Sequence, residues 1–117
     1  MGTDRTRLDA FLPLRPVEFH ILLSLAAGER HGYGIVHDIQ ERGDAARPDI
    51  GTMYRALARL VESGLIASVR GADATDERRI NYRLTPLGLR VAKAEAERLD
   101  ALARAARVGG LLSRKAT

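Results

Sequence analysis

Apolar residues recur along this chain in three short helical patterns, then in strand-like alternation, then in one long helical stripe. Pro16 predicts the first residue of a helix, a position that needs no N–H. That helix runs to about Ala27, and Gly28 ends it. Phe19, Ile21, Leu22, Leu23, Leu25 and Ala26 leave it little polar face, so it is expected at the centre of the core. His31 to Gly34 predict a turn, followed by a second helix with Ile35, Val36 and Ile39 at helical spacing that stops near Gly43. A loop over Asp44 to Pro48 leads to a third helix, with Asp49 as its N-cap. Met53, Leu57, Leu60 and Val61 form its buried stripe, and Gly64 closes it.

The period then changes. Leu65 to Val69 is short, apolar and β-branched, and Ile80, Tyr82 and Leu84 alternate with Asn81, Arg83 and Thr85. With the polar turn Gly71 to Glu77 between them, these segments predict a β-hairpin. Thr85-Pro86 pairs a hydroxyl N-cap with a proline at the first helical position and starts a fourth helix, which reaches about Val108 before Gly109-Gly110. The expected fold is mainly α with a small β-hairpin: a winged helix-turn-helix domain plus a long C-terminal helix. The boundaries are 1–15 for an N-terminal arm, 16–85 for the winged domain, 86–108 for the last helix and 109–117 for a flexible tail. The arm carries a short apolar knot of Leu8, Phe11, Leu12 and Leu14.

The 117 residues suffice for one domain. The chain has no cysteine, which excludes disulfides, thiolate metal sites and thiol catalysis. No apolar run is long enough to cross a bilayer, and the polar start, Met1 to Asp9, is unlike a signal peptide, so a cytoplasmic protein is expected. The net charge is +4, unevenly placed. Residues 1–50 carry six basic and eight acidic side chains, whereas residues 84–117 carry seven basic and three acidic ones. Seventeen of the nineteen cations are arginine, the side chain that forks onto phosphates and base edges. His20, His31 and His37 show no metal-ligand spacing, no glycine-rich phosphate loop is present, and no serine has a base beside it, so neither a cofactor, a metal nor an enzyme activity is expected.

Three blocks of the sequence, Glu18 to Leu25 with His31-Gly32-Tyr33-Gly34-Ile35; Gly51-Thr52-Met53-Tyr54-Arg55-Ala56-Leu57 with Leu60 and Ser63-Gly64-Leu65-Ile66; and Arg78-Arg79-Ile80-Asn81-Tyr82-Arg83-Leu84-Thr85-Pro86-Leu87-Gly88, resemble the PadR family of transcriptional regulators. Together they cover about residues 14–107, in the family order. The resemblance implies a dimeric winged-helix repressor that binds double-stranded DNA, and such a dimer is expected to prefer an inverted-repeat operator. It also implies DNA contacts from the third helix and wing, dimer contacts from the C-terminal helix, and response to small aromatic or hydrophobic ligands in many members. This sequence departs from the pattern at Arg15, where a hydroxyl cap is more usual, and in the acids Asp73, Asp76 and Glu77 of the wing loop.

The residues themselves supply the candidate sites. With the apolar stripe of the third helix buried, Arg55, Ala58, Arg59 and Glu62 face outward and Thr52 stands at the N-terminal edge. That arrangement suits a recognition helix, which needs forked donors for guanine and small residues for close approach. Tyr54, nearer the buried edge, and Tyr33 are each candidates for a phosphate contact or for packing. Arg70, Arg78 and Arg79 flank the wing turn, where cations track the backbone. On the last helix Leu87, Val91, Ala94, Leu99, Leu102 and Ala106 form the stripe expected to meet its copy in a homodimer. Phe11 and Leu12 with Leu99 and Leu102 are the candidate walls of an effector site. The alternative function is a winged-helix protein–protein module that reads no DNA.

Overall fold

The computed structural model describes residues 7–42, 48–70 and 80–113. Among the described residues the elements with defined bounds follow in the order α1 (Pro16–Ala26), β1 (Arg30–His31), α2 (Gly32–Glu41), α3 (Ile50–Glu62), β2 (Ile66–Arg70), β3 (Ile80–Leu84) and α4 (Pro86–Val108). The helix boundaries lie within a residue or two of those expected from the pattern, except that α2 begins at Gly32, inside the turn expected at His31 to Gly34. The reason is visible at the caps. Asp49 accepts a hydrogen bond from the Thr52 N–H at 2.7 Å, and Thr85 Oγ1 accepts one from the Gly88 N–H at 2.9 Å. Gly64, at φ 82°, takes the left-handed turn that ends α3, while the Leu65 N–H reaches back to the Leu60 carbonyl at 3.0 Å. Arg15 supplies no side-chain cap; instead the Glu18 carboxylate accepts from its backbone N–H at 3.1 Å.

The sheet has three strands rather than the expected two, in the order β1-β3-β2, antiparallel throughout. Arg30 pairs with Tyr82 and His31 with Asn81, while Ile66 pairs with Leu84 and Arg70 with Ile80. A two-residue strand is too short to show alternation, so β1 left no trace in the pattern and its residues suggested only a turn. The turn expected at Gly71 to Glu77 lies outside the described residues.

The core joins Ile21, Leu22 and Leu25 of α1, Ile35 and Ile39 of α2, Met53, Ala56, Leu57 and Leu60 of α3, and Leu65, Ile66 and Val91. Helix α1 is central, as its composition predicts, but it is not enclosed: Leu23 and Ala26 are exposed. Leu14 is also buried, and Leu8, Phe11 and Leu12 pack against the core, so this stretch of the arm is docked. Helix α4 lies so close to the start of β2 that a Cβ on Gly88 would sit 1.8 Å from the Leu65 carbonyl oxygen. Only glycine fits there.

Polar side chains tie the frame together. Arg42, just past α2, donates to the His20 carbonyl at 2.9 Å and to the Ser24 hydroxyl at 3.1 Å, and it pairs with Asp38 at 3.0 Å. The Ser24 hydroxyl, followed by Arg42 and Arg30, holds the Asp38 carboxyl below the usual carboxylate range. On α4 the carboxylate of Glu95 is buried. It accepts from the Leu14 backbone N–H at 3.1 Å and from Arg98 Nε and Nη2 at 2.6 and 2.9 Å. The docked arm is therefore anchored to α4 through its main chain.

Candidate nucleic-acid interface

Helix α3 is strongly two-sided. Met53, Ala56, Leu57 and Leu60 are buried, whereas Gly51, Arg55, Ala58 and Glu62 are exposed on the opposite side. Arg55 folds toward the helix start, where its Nη2 donates to Thr52 Oγ1 at 3.3 Å. Gly51 leaves it room, because a Cβ there would lie 3.2 Å from Arg55 Nη1. The Thr52 amide is already taken by Asp49, whose carboxyl is held low by that backbone hydrogen bond, by the Thr52 side chain and, in smaller measure, by Arg55. A carboxylate thus occupies the Thr52 amide at the α3 N-terminus, and Arg55 adds its guanidinium donors at this end.

Arg59 is not on the open face as squarely as its spacing suggests. It turns toward α1 and pairs with Glu18 at 3.4 Å, with its side chain 39% exposed. Its sequence neighbours could not reveal this, since Glu18 lies 41 residues away. Tyr54 flanks the other edge of α3. Its ring lies over Gly32 at the start of α2, where a Cβ would meet Tyr54 Cε1 at 3.2 Å and Tyr82 at 3.5 Å. The glycine of the His31-Gly32-Tyr33 run is thus there to admit an aromatic ring. Burial, and then the neighbouring Tyr54, raises the Tyr82 hydroxyl above its ordinary value. Tyr33 itself is 73% exposed.

The three wing cations are less visible. Arg70 ends β2, paired in register with Ile80. Arg78 and Arg79 lie outside the described residues.

The stripe on α4 divides into two. Leu87 packs on the core and Val91 is buried within it, so Val91 cannot serve the partner contact expected of it. The same face, after Glu95, runs past the core's edge, and there Leu99 and Leu102 are exposed. Spacing alone gives one continuous stripe; only the position of the core along the helix shows where it changes use. The four candidate effector residues do not line one recess together among the described residues. Leu12 lines one of about 630 Å³ with Leu8, Pro13, Ala94 and Arg98, while Phe11 lines another of about 430 Å³ with Leu87 and Arg90. Leu99 and Leu102 line neither.

Three helices, a β-ribbon wing and an outward arginine-bearing third helix define a winged helix-turn-helix protein. The model of the transcriptional regulator PadR-like family matches residues 21–94. The chain belongs to that family, which makes it a DNA-binding transcription regulator. Among solved structures, a transcriptional regulator from Clostridium thermocellum is similar at 29% identity and TM-score 0.65, over 92% of this chain and 95% of that one. A PadR family transcription regulator from hypervirulent Clostridium difficile matches in fold, with TM-score 0.69 and 24% identity over 78% of this chain and 94% of that one. A zinc-responsive MarR family member from Lactococcus lactis has TM-score 0.60 and 26% identity, over 88% and 66% of the two chains. Among curated proteins none matches the sequence. Among the described residues no group of three or more His, Cys, Asp or Glu is placed to hold a metal, and no helix is long and apolar enough to cross a membrane.

Proposed function

We propose that this chain is a homodimeric repressor that binds an inverted-repeat operator and is released from it by a small hydrophobic or aromatic effector. The carrying observation is the outward face of α3, where Arg55 stands among small residues on a winged-helix frame. In this reading Arg55 reads a base, Thr52 and Tyr54 contact the backbone beside it, and Tyr33 does so from α2. Arg59 joins them once it leaves Glu18. Arg70, Arg78 and Arg79 follow the flanking phosphates, adding affinity rather than sequence selection. Leu99, Leu102 and Ala106, with Ala94 at the margin, meet their copies across a two-fold axis, which places two α3 helices in successive major grooves. An effector that binds the dimer between the arms and α4 releases DNA only if it prefers the DNA-incompetent arrangement, and linkage makes DNA weaken the effector by the same factor.

Selection of bound fragments from random duplex DNA with the purified protein tests the reading. Enrichment of an inverted repeat with half-sites about one helical turn apart, roughly 10 bp, supports it. Absence of any sequence enrichment, with the protein folded, overturns sequence-specific readout and leaves a protein-binding module.

A further inference from the structure

We infer that Ile50 reads the C5 methyl group of a thymine, so that the operator half-site contains a required thymine beside the base contacted by Arg55. The inference extends the DNA-reading function proposed above and depends on it. Ile50 is the first residue of α3, and 59% of it is exposed. It belongs to none of the packing that holds α3, which the core side chains Met53, Ala56, Leu57 and Leu60 supply. An exposed β-branched residue at the first turn also adds nothing to helix propensity. Its surroundings are apolar for a helix terminus: Ile50 lines a recess of about 120 Å³ between α2 and α3 with Tyr33, Val36 and Tyr54. His37 and Gln40 complete the lining.

The N-terminal residues of a recognition helix are those that meet base edges in the major groove. In that groove thymine is marked by its methyl group, which selects apolar contacts, whereas Arg marks guanine. The start of α3 therefore carries two different readers in one turn and a half: the guanidinium of Arg55, folded back over Gly51, and the apolar pair of Ile50 and its tyrosine-lined recess. A phosphate contact cannot account for the Ile50 side chain, which has no donor to offer.

The test uses the operator recovered by selection and the full chain. Each dT of the half-site is replaced in turn by dU, which removes the methyl group and keeps every hydrogen bond. Wild-type affinity is expected to fall about four-fold at one position per half-site, the factor expected for burying one methyl-sized group. Ile50→Ala is expected to bind the thymine operator more weakly by a similar factor and to be indifferent to dU at that position. Circular dichroism of Ile50→Ala should match wild type, since the residue is outside the core. If no dT→dU exchange weakens the wild type, or if Ile50→Ala keeps the full dU penalty, the assignment is overturned while DNA reading stands. If wild-type protein shows no preference for the thymine operator over random DNA, the proposed function fails first and takes this inference with it.

Discussion

Arg55 and Glu95 show what single side chains do in this molecule. Arg55 is exposed and held by a 3.3 Å hydrogen bond to Thr52 and by the nearby Asp49 carboxylate, so it can turn to a base at little cost. Arg55→Ala is expected to weaken operator binding by about 1–3 kcal/mol and to relax selection at one base position, as read by titration against a panel of single-base variants. Glu95 plays the opposite part. The Arg98 guanidinium and, less strongly, the Leu14 N–H outweigh burial and hold its carboxyl below the usual carboxylate range. A group depressed in the folded state stabilises the fold above its unfolded value, and that contribution fades as the pH falls through the folded one. Wild type should therefore lose more stability than Glu95→Gln on going from about pH 5 to about pH 3, as followed by denaturant unfolding at each pH. Equal slopes for the two proteins would contradict the anchoring role.

At the scale of elements, the joint between α3, β2 and α4 governs how the wing and the last helix are set. Thr85 caps α4 and donates to the Gly64 carbonyl at 2.7 Å, while Gly88 lets α4 come down on Leu65. Gly88→Ala must push that contact apart, because the obstacle is backbone. A loss of roughly 2 kcal/mol or more is expected from overpacking of this kind, seen as a drop in thermal midpoint. Much of this architecture was legible in the chain. Asp49, Thr85, Pro16, Pro86, Gly28 and Gly64 all mark element ends through local chemistry, and local chemistry is what a sequence displays. The alternation of Ile80, Tyr82 and Leu84 likewise fixed β3. The parts that were not legible depend on partners distant in the sequence. Strand β1 exists only because Arg30 and His31 meet Tyr82 and Asn81. Arg59 gives way to Glu18, Glu95 finds Leu14, and Val91 belongs to the core rather than to the free stripe. The wing arginines come from the same kind of local reading: Arg70 ends β2, while Arg78 and Arg79 lie outside the described residues.

For the whole molecule, the uncovered half of α4 is the feature on which the proposed homodimer rests. Leu102 and Leu99 continue the core face into solvent, and Leu23 on α1 is a further apolar side chain without cover in the protomer. Burying such surface against a second copy is the ordinary solution for a helix with a stripe longer than its core. Light scattering should give twice the 12.8 kDa chain mass. Leu102→Arg should shift the protein toward the single-chain mass and, by separating the two reading heads, weaken binding to an inverted repeat far more than binding to one half-site. A Leu102→Arg protein that stays dimeric would remove α4 from the interface.

The contact between Glu18 and Arg59 carries a consequence for the ion balance of binding. One carboxylate oxygen of Glu18 caps α1 and the other holds Arg59. If Arg59 leaves for a DNA phosphate, it expels a condensed cation from the duplex, yet it strands a carboxylate that gathers a cation from solution. The two events nearly cancel, so this arginine adds affinity without its share of salt sensitivity. Glu18→Gln keeps an oxygen for the Arg15 cap but removes the competing charge. It is expected to tighten binding at low salt and to steepen the dependence of log K on log salt by about one unit. An unchanged slope would mean that Arg59 never leaves α1, and that the chain keeps one of its two third-helix arginines for its own architecture.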